Sequence, residues 1–170
     1  MAISKKVEEV LNQQINAEFW SAYFYLSMSN YFNVNGMPGF ANWMKVQFEE
    51  ETSHAIKLLD YVNERGGRVV LEPIAEVPSE WNGVLNVYEE TLKHEEKVTG
   101  LINECVNVAI AEKDHASVNF LQWFVDEQVE EEATVGEIID QLKMFNGQGH
   151  GLYMMDKEFK ARTFVDATQE

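Results

Sequence analysis

The sequence predicts an all-α protein: a four-helix bundle with one long crossover and a short fifth helix near the C-terminus. Three observations carry this. Apolar residues recur at steps of three and four through four long segments, and the few Pro and Gly residues fall between those segments. The connection between the second and third segments is much longer than the other two.

Taken in order, the first helix begins near Ser4, which suits an N-cap, and runs to residue 33, where Asn33-Val-Asn-Gly-Met-Pro38 breaks the period. The second spans residues 38–65. Pro38 fits its first turn, where a missing N–H costs nothing, and Gly66-Gly67 ends it. Ser79 and Asp114 are the expected caps of the third helix (79–111) and the fourth (114–146), the latter stopping at Asn146-Gly147. A fifth segment, 152–161, follows Gly-Gln-Gly-His-Gly. The short connections make the first and second helices, and the third and fourth, antiparallel hairpins. From Gly66 to Pro78 the chain has no helical period but carries Val69-Val70-Leu71, as a crossover along the bundle would.

The 170 residues suffice for one buried core, and no Gly-, Ser- or Pro-rich stretch divides them, so a single domain is expected. With 45% hydrophobic and 12% aromatic residues the chain should fold despite its charge. A formal net charge of −16 repels nucleic acid and anionic membranes and makes cations the natural partners. No segment reaches the length of a membrane span, the N-terminus shows no apolar leader, and Cys105 is the sole cysteine. A cytoplasmic protein without disulfides, iron–sulfur clusters or thiolate zinc is expected.

A helix stripe facing a bundle core should be apolar throughout, and all four stripes are broken. Glu18 interrupts Val7, Leu11, Ile15, Ala22 and Tyr25; Glu51 and His54 lie between Phe40, Met44, Leu58 and Val62. Glu95 sits among Tyr88, Leu92, Val98 and Ile102, and Gln128 and Glu131 among Leu121, Phe124, Val135 and Ile138. The expected helix midpoints fall near residues 18, 51, 95 and 130, so the four acids share one level. Burying an ionised carboxylate costs several kcal/mol, and four together need compensating charge. Protonating two acids would relieve part of the repulsion; two divalent metals would balance all four. Carboxylates with one imidazole form a hard, oxygen-rich set suited to iron or manganese, iron being the better fit. Glu51-Thr52-Ser53-His54 places two ligands one turn apart on one face.

These residues resemble the bacterial non-haem ferritins over nearly the whole chain. The shared pattern is Asn16-Ala-Glu18 with Tyr25, Glu50-Glu51-x-x-His54, His94-Glu95, and Trp123-Phe-Val-x-Glu127-Gln128-Val-Glu130-Glu131. The resemblance implies the ferritin-like bundle and a di-iron ferroxidase centre. One iron would use Glu18, Glu51 and His54, and the other Glu51, Glu95 and Glu131, with Glu51 bridging. Gln128 would hold water or oxygen, and Tyr25 would lie beside the site. A third iron site on the inward side would use Glu50, Glu127 and Glu130, sharing Glu131. The implied protein oxidises Fe(II) with O2 or H2O2 and stores ferric mineral in a homo-oligomeric shell of 24 subunits. Its fifth helix would line a pore, and its crossover would lie at a dimer contact.

Departures narrow the resemblance. Bacterioferritins carry a second Glu-x-x-His on the fourth helix, where this chain has Gln128-x-x-Glu131, so the second iron would lack an imidazole. Thr52 stands where bacterioferritins have a haem-ligating Met, and no haem is expected. The same ligands could also serve a di-iron oxidase or peroxide reductase that stores nothing, and a metal-free scaffold would keep the polar residues for specificity alone. On spacing alone Tyr25 and Trp123 read as core aromatics; the resemblance lifts only Tyr25 out of that reading. Cys105 reads as a small buried hydrophobe, and His94, His115 and His150 as surface residues. The run Asp126 to Glu132 holds like charges at i,i+4 that cost about 0.2–0.5 kcal/mol each unless cations bind.

Overall fold

A computed structural model describes residues 2–169. Four long helices, α1 (Lys5–Val34), α2 (Pro38–Glu64), α3 (Val84–Ala111) and α4 (His115–Met144), are followed by α5 (Gly149–Phe159) and a 3-10 turn at Ala167–Gln169. Among the described residues no helix is long and apolar enough to cross a membrane.

Local chemistry explains most of the boundaries. The Ser4 hydroxyl accepts from the Val7 N–H at 3.4 Å, and the Asp114 carboxylate accepts from Ser117 N–H at 3.2 Å, so two of the three expected caps are formed. At the end of α2 the chain turns through Gly66, at φ +70°, and the Gly67 N–H returns to the Val62 carbonyl at 2.9 Å. The fourth helix ends likewise, with Asn146 and Gly147 at φ 54° and 60°.

The third helix starts at Val84, not at Ser79. The Ser27 hydroxyl donates to the Pro78 carbonyl at 2.6 Å, pinning this stretch to α1 as the last part of the crossover. Gly83, at φ +91° and ψ 174°, then turns the chain into the helix, a conformation that a side chain at this position would strain. The fifth helix begins three residues before the expected Leu152 and ends at Phe159, two before Ala161. Gln148, in extended conformation, is its N-terminal boundary.

The Ile3 N–H bonds to the Arg65 carbonyl at 3.1 Å, so the end of α2 lies beside the start of α1 and the two are antiparallel. The crossover then climbs α1 from bottom to top. Asn12 exchanges bonds with Val70 N–H (2.7 Å) and Arg68 O (2.9 Å), Asn16 donates to Glu72 O (3.2 Å), and the Trp20 indole to Glu76 O (3.3 Å). These side chains recur every four residues, forming a stripe that satisfies the polar backbone of a segment with no helix or sheet of its own. At its far end Gly83 N–H reaches the Tyr31 hydroxyl, which starts α3 beside the end of α1.

The apolar core is divided in two. One cluster packs Phe24, Met28, Phe32, Phe40, Trp43 and Tyr88 against Val135, Ile138 and Leu142; the other packs Val7, Leu11 and Ile15 against Leu58, Val98, Ile102, Leu121 and Phe124. Between them lies a buried polar layer to which every bundle helix contributes.

Candidate metal centre

The layer contains Glu18, Glu51, His54, Glu95, Gln128 and Glu131, each no more than 9% exposed. Apolar packing on both sides holds their helices and keeps these polar side chains largely out of solvent. Ligand atoms of Glu18, Glu51 and His54 lie within 4.8 Å of one another, close enough to share one metal ion. The His54 ring places Nδ1 3.6 Å from Glu51 Oε2, one helical turn back. Its plane is set by Trp123, whose half-buried ring packs edge-on at 5.3 Å.

Three of the four acids accept from a side-chain donor. Gln14 Nε2 donates to Glu18 Oε1 at 2.8 Å, and Gln47 Nε2 to Glu131 Oε2 at 2.9 Å. Glu95 accepts from the Tyr25 hydroxyl at Oε1 and from Gln128 Nε2 at Oε2, the latter at 3.1 Å. Gln128 also lies 3.2 Å from the Thr99 hydroxyl, so its amide bridges α3 and α4. Glu18 Oε2 is buried with no hydrogen-bond donor among the described residues, an acceptor that a cation, or a proton held on neighbouring Glu51, would satisfy.

The electrostatics follow from this crowding. Burial raises the Glu51 carboxyl well above its ordinary range, and the charges of Glu18 and Glu95 push it further. Burial lifts Glu95 to about 7 against its bonds from Tyr25 and Gln128, and lifts Glu131 to about 8, with Glu95 adding to the shift. The Tyr25 phenol is raised by burial and then by Glu95 and Glu51. Without a cation the layer therefore holds protons at neutral pH.

The other three acids singled out in the sequence lie to one side, on α2 and α4. Glu127 Oε2 is 4.0 Å from His54 Nε2, and burial raises its carboxyl despite that imidazole. Glu50 is partly buried and shifted upward by burial, with the Arg162 guanidinium opposing the shift. Glu130 is exposed and faces Glu127. The acidic run thus divides. Glu131 is buried, Glu132 accepts from the Thr99 hydroxyl at 2.5 Å, and Asp126 and Glu130 face solvent.

His94 is half-buried, not exposed. Its Nε2 lies 2.7 Å from the Ser21 hydroxyl and its ring packs 5.1 Å from both Trp20 and Phe24, because α3 presses this face against α1. Burial lowers its pKa to about 4, with Lys97 contributing. His115 and His150 are exposed, and Cys105 is a buried thiol pushed up to about 12 by burial.

Sequence reasoning missed Gln14, Gln47, Thr99 and Arg162. The two glutamines carried a readable signal, since each lies one turn before an acid of its own helix, Glu18 or Glu51, on the same buried face. Arg162 carried none, for it stands beyond α5.

Comparison with known proteins agrees with this architecture. Residues 8–145 match the ferritin-like domain family. A bacterial non-haem ferritin from Bacteroides fragilis is 44% identical over 160 residues, covering 94% of this chain and 99% of its own. Another from Campylobacter jejuni is 39% identical over 158 residues, covering 93% and 95%. Among solved structures, an open-pore ferritin from Archaeoglobus fulgidus superposes with a TM-score of 0.94 at 50% identity, covering 95% of this chain and all of its own. A closed form of that protein, made by mutagenesis, gives 0.95 at 50% identity over 96% of this chain. The chain belongs to the ferritin family, among the non-haem ferritins.

Proposed function

We propose that this protein stores iron, oxidising Fe(II) in the buried polar layer and depositing the ferric product inside a homo-oligomeric shell of 24 subunits. The observation that carries the reading is the convergence of Glu18, Glu51 and His54 within 4.8 Å, with Glu18 Oε2 buried and unpartnered among the described residues. Hard oxygen donors with a single imidazole suit iron, and four carboxylates are neutralised by two Fe(II).

In this reading Glu18, Glu51 and His54 hold one Fe(II), and Glu51, Glu95 and Glu131 the second, with Glu51 shared. The metals supply the redox chemistry: two Fe(II) give up one electron each, and O2 takes both with two protons from solvent to become H2O2, or H2O2 takes both with two protons to become two waters. The protein fixes where this happens. Gln14 and Gln47 each tie down one carboxylate oxygen and leave its twin, Glu18 Oε2 or Glu131 Oε1, free of that bond. Tyr25 and Gln128 hold Glu95 from two helices, and the Gln128 amide would hold water or oxidant beside it. Protons that the acids hold in the empty layer leave as metal enters. Glu50, Glu127 and Glu130, with Glu131 shared, form a third position through which iron moves on.

The shell is supported by apolar surface on the crossover. Val70, Leu71 and Ile74 are 44%, 66% and 46% exposed beside Ile15 and Phe19 of α1, a patch that suits a subunit contact. A single, buried cysteine suits a reducing cytoplasm.

Stopped-flow oxidation of Fe(II) by the wild type and by Glu51→Gln tests the chemistry. The wild type should show a rapid oxidation phase of about two Fe(II) per chain, and the variant should lose it while keeping its helicity. A rapid phase that survives in Glu51→Gln would refute the assignment.

A further inference from the structure

Arg162 comes from the segment after α5, yet its guanidinium lies against the metal layer. Asn42 of α2 donates to the carbonyls of both Phe159 and Arg162 at 2.9 Å, anchoring the backbone of that segment. The guanidinium stacks 4.4 Å above the Trp43 ring, and its Nη1 donates to the Trp43 carbonyl at 3.1 Å. Nη2 donates to Gln47 Oε1 and, at 2.8 Å, to Glu50 Oε2. Gln47 in turn bonds Glu131, so one guanidinium is joined to Glu50 directly and to the deep layer through one amide.

Glu50 Oε2 cannot donate the same lone pair to a guanidinium and to a metal ion. At that oxygen ion pair and metal are alternatives, and the guanidinium charge beside Glu50 opposes a cation at its other oxygen. The stacked, tethered arginine is always present beside Glu50 and loses little freedom by binding it, which gives it an advantage over a free cation. The oxygens of Glu18 and Glu131 described above accept from neutral amides instead. Iron therefore meets a resident cationic competitor at Glu50, whereas at those deeper acids it meets only neutral donors.

We propose that Arg162 is a tethered competitor for Glu50 that holds the third iron position weak, so that the two buried positions fill first and iron moves on only when the guanidinium swings away. This rests on the functional reading above. Gln47 makes the device two-sided: while Arg162 holds its carbonyl oxygen, the amide of Gln47 stays turned toward Glu131.

Anaerobic calorimetric titration of the assembled protein with Fe(II), comparing wild type with R162Q, decides the matter. The wild type should bind two irons tightly and a third more weakly. R162Q should bind the third about tenfold more tightly, the worth of one charge-assisted hydrogen bond, and leave the first two unchanged. An unchanged or lost third site in R162Q, a wild-type third site as tight as the pair, or equal tightening of all three would overturn the proposal. Should R162Q fail to assemble, crystals of the wild type soaked anaerobically in Fe(II) decide instead. The guanidinium must be off Glu50 wherever the third position is filled, and a guanidinium still bonded there beside iron overturns the competition. Two irons bound with an unaltered third removes only this proposal, whereas a wild type that binds no iron removes the functional reading and this with it.

Discussion

Gln14, Gln47, Tyr25 and Gln128 each donate to an acid of the layer, and they show how a buried acid cluster is kept in register before any metal arrives. Removing such a donor should loosen a ligand without unfolding the bundle. Gln14→Leu keeps the volume and drops the bond to Glu18, so metal affinity at the position shared by Glu18, Glu51 and His54 should fall about 10–100-fold with helicity intact. Titration calorimetry with Fe(II) under nitrogen reads this directly.

The same crowding sets a pH dependence. In the folded metal-free protein Glu95 and Glu131 titrate at about 7 and about 8, against an ordinary value of 4.5. A carboxyl with a raised folded pKa favours folding in its protonated form. That contribution is complete below the unfolded value and is lost as pH rises through the folded one. Metal-free protein should therefore lose thermal stability between about pH 5 and pH 8, and saturating Fe(II) without oxygen should reverse the loss. A melting temperature that rises over this range in the metal-free protein would contradict the burial of these acids.

At the scale of elements, the fifth helix is held by a cap supplied across the chain. The second helix has no side-chain cap of its own, and Asp156 of α5 provides one, accepting from Gly39 N–H at 2.8 Å and Phe40 N–H at 3.1 Å. The approach is so close that a Cβ on Gly39 would lie 1.6 Å from the Asp156 carbonyl oxygen. Asp156→Ala should cost about 1 kcal/mol, the usual worth of a cap, and raise hydrogen exchange selectively in α5. An unaltered exchange pattern would mean that apolar packing alone docks the helix.

These contacts also mark what was legible in the sequence. The acids could be read because each breaks an apolar stripe at a height shared with the others, a consequence of helical period and helix length alone. Ser4 and Asp114 could be read because a cap acts within one turn. Ser79 misled because the same local signal occurs inside the crossover, where the Ser27 hydroxyl and the left-handed Gly83 decide the path. His94 misled because its burial depends on how α3 presses on α1, which no single-helix period contains. Arg162 was out of reach for the same reason, since its position depends on α5 docking against α2.

For the whole molecule, two apolar clusters separated by a polar layer make the metal part of the stability argument. The clusters hold the helices together, and the layer between them is costly until its charges are met. Outside the bundle, the crossover presents apolar side chains to solvent along α1. If this surface joins subunits, Leu71→Asp, at a position 66% exposed in the isolated chain, should leave the chain helical while shifting it to small oligomers by analytical ultracentrifugation. A variant that still sediments as a full shell would place the contact elsewhere.

The central claim is that this bundle stores iron, and its most direct test adds Fe(II) in air, at many equivalents per chain, before size exclusion with protein and iron read together. The account requires ferric iron far in excess of the ligand sites to co-elute with a shell-sized particle. Iron that stops at about two per chain would make the protein a di-iron enzyme without storage, and no co-eluting iron would contradict the metal centre itself.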